Sequence, residues 1–584
     1  MLGNITGTLK KHRMIIAFFF LLLSLGSAVL SLNPFWELLI SNRWILSSYL
    51  GTALFIGSLS VLPLVCFFLY TNRNDFRNEF NKKDIAFMGC IFIFSVALRL
   101  FLIGTGALRW IMISYMYEDI NLPIISPYYD FRGIGFTVLL KIPSMILGPQ
   151  FSNIFVFNAM LGSLIPIVVF LLTYFIFKSK TAAAFSSAIA VVNPLLIAIS
   201  PTESFTVPSI LFSLLSILFL VIYHNKSKRL PYMGISLLML FLAIQMRQEY
   251  IAFLLVYFIA FVALFRGDSY DRNLKRLLII FFILLIPSFL TSMVHYGGMR
   301  EDIFLHGTSF GKDSTIISYI GNYATLASKN IIPNLQIMFS DAITVVFAIL
   351  AIVGILTLKD KRRYAAILGV HIIVFFFLYS MIHQSSFKLI GQYKYLTSLL
   401  PPLFILASGG LCGISKKLRR CWLLPVLSII LLIPIVATSL SSLNPVWMTT
   451  EMNQAPDGSM DYHSLYRAME YESVKRIENV DKSCGVFING KAGLFPYIHG
   501  FHYEDIFIIY NMTHLAETSK KDFYGYDCIY FYSGYSDPEE DRIENIQRIG
   551  LVELVPFLES DGFNRVFSED ISNSTILLYK KLES

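Results

Sequence analysis

Charge is scarce in this chain. Only 15% of its 584 residues are Asp, Glu, Lys or Arg, while 55% are hydrophobic. That is too little charge to cover the surface of a soluble protein of this length, which excludes an ordinary globular enzyme. Cysteine is also rare, with six in the chain, no CxxC pair and no Cys/His cluster at metal-ligand spacing. Zinc-ribbon and thiol-redox classes fall away. No Gly-rich phosphate loop sits between a strand and a helix, so a nucleotide-binding P-loop or dinucleotide fold is not expected either. The net charge of +8 raises nucleic acid as a partner, but its distribution argues against that.

What the chain does have is long apolar runs, near 20 residues each and recurring, which read as a polytopic helical membrane protein. About thirteen spans are expected, roughly at 14–32, 45–70, 85–103, 153–177, 181–199, 205–223, 230–246, 250–265, 277–294, 337–358, 364–382, 396–414 and 422–440. Basic clusters fall in alternate short loops: Lys10 to Arg13, Arg73 to Lys83, Lys178 and Lys180, Lys226 to Arg229, Arg266 to Arg276, Lys359 to Arg363, and Lys416 to Arg420. Placing these loops in the cytoplasm satisfies the positive-inside rule at each. The N-terminus is then cytoplasmic and the tail after Ser441 extracytoplasmic. No clear small-residue cleavage site follows the first apolar run, so it reads as a retained span.

Three outward segments are long: 104–152, 295–336 and 441–584. The first carries Glu118, Asp119, Asp130 and Arg132, then an apolar stretch from Ile134 to Leu147 broken by Lys141 and Pro143. That stretch is too short to span and suits a helix lying in the interface. A partly desolvated carboxylate beside it has the chemistry of a general base; the plainer reading is a solvated loop charge. The second holds His295, Arg300 and His306 among glycines, a composition suited to a loop over a cavity mouth. An 11-residue gap between the histidines is weak evidence for a metal. In the tail, "CGVFING" and "CIYFYSG" read as buried strands, Asp537-Pro538 opens a helix, and "STILLYKKL" closes the chain. This predicts a small α/β domain in which Cys484 and Cys528 are free to pair.

One stretch resists the pattern. In "QMRQEYIAFLL" (245–255), Arg247 and Glu249 lie between two apolar runs with no turn residue nearby. Charges inside a membrane segment cost about 2.5–3.5 kcal/mol each on insertion scales, so they need a polar cavity or a partner. Lys388 and Lys394, before Pro401-Pro402, stand on the expected outer side against the positive-inside trend. They call for anionic partners, either lipid headgroups or a bound phosphate.

Several of these segments together resemble the GT-C superfamily of membrane glycosyltransferases, which includes protein O-mannosyltransferases and aminoarabinose transferases. "NPLLIAISPTESFTVPSILFSLLSILFL" (193–220) is similar to a tight outer helix corner marked by Ser-Pro and an acid, here Glu203. "QMRQEYIAFLL" is similar to an Arg/Glu element at a later corner, and "QYKYLTSLLPPL" (392–403) to an Arg-Tyr element with Lys394 in place of arginine. "YYDFRGIGFTVLLKIPSMILGP" (128–149) stands where the family has its interfacial helix. The resemblance covers roughly 85–415.

It implies an all-α polytopic fold of about thirteen transmembrane helices with a small C-terminal extracytoplasmic α/β domain. The divisions are 1–84 as a helical pair with its loop, 85–440 as the transmembrane core, and 441–584 as the outer domain. It implies transfer of a sugar from a polyprenyl-phosphate carrier to a lipid, glycan or protein acceptor, with inversion at the anomeric carbon. By position, Asp119, Glu118 and Asp130 are the candidate catalytic acids; Arg247, Lys394 and Lys388 the donor-phosphate contacts; Glu249, Glu203 and Arg132 supporting groups. The sequence departs from the family in having no acid between Arg99 and Tyr117, where an acidic pair is expected. No metal ligand set is assigned; a divalent cation is compatible with the acids but not required by their spacing. A polysaccharide polymerase or ligase, a flippase for a lipid-linked saccharide, and a non-catalytic relative remain the alternatives.

Overall fold

The computed structural model describes residues 43–101, 134–147, 151–265, 273–285, 328–357, 362–381 and 396–442, apart from a few positions such as 202–204, and five strands beyond residue 473. Residues 1–42, 102–133, 148–150, 266–272, 286–327, 358–361, 382–395 and 443–473, with most of the tail between its strands, lie outside the described residues. The helices are α1 (Arg43–Ser60), α2 (Leu62–Thr71), α3 (Lys82–Phe101), α4 (Ile134–Leu147), α5 (Phe151–Phe177), α6 (Lys180–Val192), α7 (Pro194–Ile199), α8 (Thr206–Asn225) and α9 (Leu230–Met246). After a 3-10 turn at Gln248–Ala252 come α10 (Phe253–Phe265), α11 (Ala342–Thr357), α12 (Arg362–Met381), α13 (Leu400–Lys417) and α14 (Leu423–Ser442).

Among the described residues, five helices are long and apolar enough to cross a membrane: Thr52–Thr71, Lys82–Phe101, Asn153–Phe177, Thr206–Asn225 and Arg362–Ser380. With the shorter apolar helices they make a mostly helical integral membrane protein. Local chemistry sets the breaks. One expected span is interrupted: 181–199 stops at Asn193, whereas 45–70 runs on through a turn at Val61, two residues before Pro63. Asn193 is extended, as residues before proline prefer, and its side chain caps Leu196 N at 3.1 Å with Pro194 at the first helical position. At the start of α3, Asn81 and Asp84 exchange side-chain-to-backbone hydrogen bonds of 2.8 and 2.9 Å, a reciprocal cap that also places an acid in the first turn.

The helix α8 is the axis of the bundle. Nearly every residue from Thr206 to Tyr223 is buried, against α5 on one side and the antiparallel α9 on another. Without a hydrophobic drive between helices in lipid, close approach relies on small residues. Between α11 and α13 a Cβ on Gly354 would lie 2.6 Å from Leu406 O and 2.9 Å from Gly410 N, so the two backbones touch. The stretch expected as an interfacial helix is helical, as α4. Its first half, from Gly135 to Lys141, is buried in the bundle, and Met145 to Leu147 are exposed.

The tail forms one mixed sheet of order β2-β1-β3-β5-β4, with β1 (Gly485–Asn489), β2 (Ile506–Ile509), β3 (Cys528–Ser533), β4 (Phe563–Ile571) and β5 (Ser574–Lys581). β2, β1 and β3 run parallel, and β5 lies antiparallel between β3 and β4. Cys484 and Cys528, at the starts of the neighbouring strands β1 and β3, form a disulfide with 4.7 Å between their Cα atoms. Asp481 lies close to both sulfurs, but a cystine offers no thiolate, so this trio does not make a metal site.

Candidate functional site

The end of α9 is built by one extended residue. Arg247 leaves the helix at φ −154°, ψ 124°, and the chain then tightens into a 3-10 turn before α10. Residues two apart on a continuous helix do not face each other. The extension brings them together here: Arg247 Nε donates to Glu249 Oε2 and Nη2 to Glu249 Oε1, both at 3.1 Å. This is a bidentate, charge-assisted pair. Nη1 donates to Thr206 Oγ1 at 2.8 Å, and the guanidinium carbon lies 4.8 Å from the Phe205 ring centre and 5.6 Å from that of Tyr379. Arg247 is fully buried and Glu249 nearly so. A second polar layer lies beneath. Tyr250 Oη donates to Ser398 Oγ at 3.0 Å, and the Tyr379 hydroxyl is 3.5 Å from the same oxygen.

Thr206 opens α8 directly after the Ser-Pro corner, and a second arginine holds the other end of that corner. Arg99, on the last turn of α3, is fully buried. Its Nε donates to Ser200 Oγ at 3.0 Å and its Nη1 to Ser95 O at 3.2 Å; Ser95 Oγ also contacts Nη1. Ser200 Oγ in turn donates to Leu196 O at 2.6 Å. Gly162 on α5 lets these groups approach, since a Cβ there would collide with the Ser200 side chain and lie 3.3 Å from Arg99 Nε. The corner between Ser200 and Thr206 is thus gripped by a buried guanidinium at each end.

The opposite end of α8 is about 30 Å away for 20 helical residues and is tied differently. Glu79 accepts from Lys226 Nζ at 2.8 Å, Tyr174 Oη at 2.7 Å and Lys178 Nζ at 3.3 Å. Partial burial on its own would raise the Glu79 pKa. The hydrogen bonds from Lys226 and Tyr174 and the charges of Lys178 and Lys226 outweigh it and hold the carboxyl at about 2, below its usual 4.5. Every listener of that carboxylate is a helix-end group, so this cluster fastens the loop before α3 to α5 and α8.

Of the residues expected from sequence, Arg247 and Glu249 are brought into contact. Glu118, Asp119, Asp130, Arg132, Glu203, Lys388 and Lys394, with His295, Arg300 and His306, lie outside the described residues. Sequence reasoning passed over Arg99, Ser200, Thr206, Tyr250 and Tyr379. For Arg99 the signal was present: like Arg247, it interrupts an apolar run ("SVALRLFLIG") near its end. The hydroxyl residues carry no such signal.

Residues 132–291 match the sequence model of the family described as dolichyl-phosphate-mannose-protein mannosyltransferase. No curated protein matches the chain. Solved structures with similarity to it include ArnT from Cupriavidus metallidurans in the apo state (13% identity, 84% of this chain and 98% of that one, TM-score 0.44). The same protein bound to undecaprenyl phosphate gives 13% identity, 86% and 98% coverage and a TM-score of 0.46. The Archaeoglobus fulgidus oligosaccharyltransferase in complex with Zn and sulfate gives 13%, 76% and 67%, and 0.43. The match over 132–291, which contains both the Ser-Pro corner and the Arg247–Glu249 pair, supports the resemblance to GT-C superfamily membrane glycosyltransferases.

Proposed function

We propose that this protein is a membrane glycosyltransferase that moves a sugar from a polyprenyl-phosphate carrier to an acceptor hydroxyl or amine, inverting the anomeric centre. The observation that carries the reading is the match of 132–291 to the mannosyltransferase family. In the reaction, the acceptor oxygen or nitrogen attacks the anomeric carbon as the bond from that carbon to the phosphate oxygen breaks. A carboxylate takes the acceptor's proton, and the phosphate leaves with the bonding electrons. Asp119 is our first choice for the base, with Glu118 and Asp130 beside it. Arg247, Lys394 and Lys388 are the proposed phosphate contacts, with Glu249, Glu203 and Arg132 in support. Arg247 held flat by Glu249 has the fixed orientation that such a contact needs.

The proposed layout keeps about thirteen spans, a core over 85–440 and an extracytoplasmic α/β domain over 441–584. The alternation of basic loops supports a cytoplasmic N-terminus, and the Cys484–Cys528 disulfide supports an oxidising compartment for the tail. Acceptor and sugar are left at the level of class, and a divalent cation is not required by this scheme.

The test is transfer of label from a panel of polyprenyl-phosphate sugars to endogenous acceptors in membranes. Wild type should transfer from at least one donor. Asp119→Asn should lower the rate about 100-fold or more, the scale of a lost general base, and Arg247→Ala should abolish transfer, scored per amount of folded protein because the change also leaves Glu249 buried without its partner. Absence of transfer from every donor, with cellular glycans unchanged in both variants, overturns the reading.

A further inference from the structure

Next to the Tyr250–Ser398 layer lie two polar groups that the local chemistry leaves without ordinary partners, and they face each other. The first is His371, on the face of α12 that it shares with Phe375 and Tyr379 at helical spacing. It is buried among aromatic rings, with ring centres 5.3 Å from Phe253 and 4.9 Å from Phe375. Neither ring nitrogen touches solvent, and neither makes a hydrogen bond of full geometry among the described residues. An apolar ring would fill this cage without burying two bare polar atoms, so the imidazole needs an explanation.

The second group is the carbonyl of Ser398, in the turn that opens α13. A carbonyl at the start of a helix accepts from the N–H three or four residues further on. At Ser398 those positions are Pro401 and Pro402, which have no N–H to give. The next carbonyl along, that of Leu399, is served by Leu403 N at 3.3 Å. The Ser398 carbonyl lies instead against the His371 ring. One nitrogen of a neutral imidazole carries a hydrogen to donate. A donor without an acceptor and an acceptor without a helical donor are therefore neighbours, across the join of α12 and α13.

We propose that His371 is a positioning residue whose ring N–H takes the Ser398 carbonyl and so fixes the turn beneath the candidate site. Rotation of the ring brings the N–H into line. The Ser398 hydroxyl accepts from Tyr250 Oη at 3.0 Å and lies 3.5 Å from that of Tyr379. The Tyr379 ring in turn has the Arg247 guanidinium 5.6 Å from its centre. His371 thus acts on Arg247 through Ser398 and Tyr379, from a place closed to solvent. Its effect on transfer rests on the reading of the protein as a user of polyprenyl phosphate; the bond itself does not.

The experiment uses the full chain in lipid nanodiscs with His371→Leu, which removes the donor, Pro402→Ala, which gives the Ser398 carbonyl a helical N–H, and the two together. Unfolding midpoints are read first and need no sugar donor. Pro402→Ala alone should leave the midpoint equal or lower, because it loosens the unfolded chain and serves a carbonyl already taken. In the His371→Leu background the same change should raise it. Transfer is then scored per amount of folded protein. His371→Leu should raise the donor KM about 10-fold with kcat nearly unchanged, a size typical of coupling within one hydrogen-bond network. Adding Pro402→Ala should bring KM back, as should His371→Asn or His371→Gln, whichever puts its amide N–H where the donating nitrogen stands.

A midpoint gain from Pro402→Ala as large in wild type as in His371→Leu means that the histidine does not serve the carbonyl, and overturns the inference. No gain in either background overturns it too. Should His371→Leu fail to fold, Pro402→Ala alone decides: a gain sinks the bond, and no gain supports it. Transfer with a donor KM indifferent to His371→Leu sinks the positioning role and spares the function. A midpoint rescue confined to His371→Leu, without transfer from any donor, spares the bond and sinks the function.

Discussion

Arg99 and Arg247 make an instructive pair. Each ends an apolar helix, each is fully buried, and each donates to a hydroxyl of the same corner, Ser200 in one case and Thr206 in the other. They differ in one partner. Arg247 has the carboxylate of Glu249 across a two-point contact, whereas Arg99 rests on neutral oxygens. Burial of a charge is thus not one condition but two. A paired guanidinium is a fixed structural element whose loss is felt at once. Arg99 is held by the hydroxyls of Ser200 and Ser95 and the Ser95 carbonyl, with no carboxylate on it among the described residues.

The sharpest way to break this contrast is to remove the carboxylate. Glu249→Ala would leave Arg247 buried without it, at a cost of about 3–5 kcal/mol, seen as a large fall in the unfolding midpoint. Arg99→Met, by the same measurement, should cost nothing. Equal losses from the two changes would erase the distinction. Next in size is Thr206→Val, which removes an acceptor from a charged donor and should cost about 1.5–3 kcal/mol. Gly162→Ala sharpens the Arg99 side, because the added methyl meets the Ser200 side chain. Overpacking of this kind costs about 1–3 kcal/mol.

The smallest effect belongs to the other end of the bundle. Glu79 has its pKa lowered from 4.5 to about 2, so its contribution to stability is complete above pH 4.5 and is lost as pH falls from there toward 2. Glu79→Gln should flatten that part of the pH–stability curve by lowering the neutral-pH plateau toward the acid value. An unaltered acid limb would mean that the lysine contacts are too well screened to matter.

Much of this was legible in one dimension. Spans are visible because lipid demands long apolar runs with satisfied backbones, and the interruption at 247–249 is visible because charges are so rare there. Asn193-Pro194 and Asn81 to Asp84 signal helix ends through capping chemistry that acts over three residues. Three strands of the tail, β1, β3 and β5, were foreseeable from their apolar runs, while β2 and β4 were not read from sequence, and the pairing of Cys484 with Cys528 was only allowed by sequence, since it depends on β1 and β3 being neighbours.

The sequence by itself determined that this is a membrane protein and that Arg247 and Glu249 need an explanation; the break at Asn193 within the expected span 181–199 was not read from it. These follow from composition and from interactions between residues a few positions apart. The tertiary structure alone decided that Arg99 reaches Ser200 across 101 positions, that Arg247 reaches Thr206 across 41, and that both hold one corner. Such contacts depend on how α3, α5, α8 and α9 pack side by side. Packing in lipid is directed by small residues and single hydrogen bonds, which leave almost no periodic mark in a sequence.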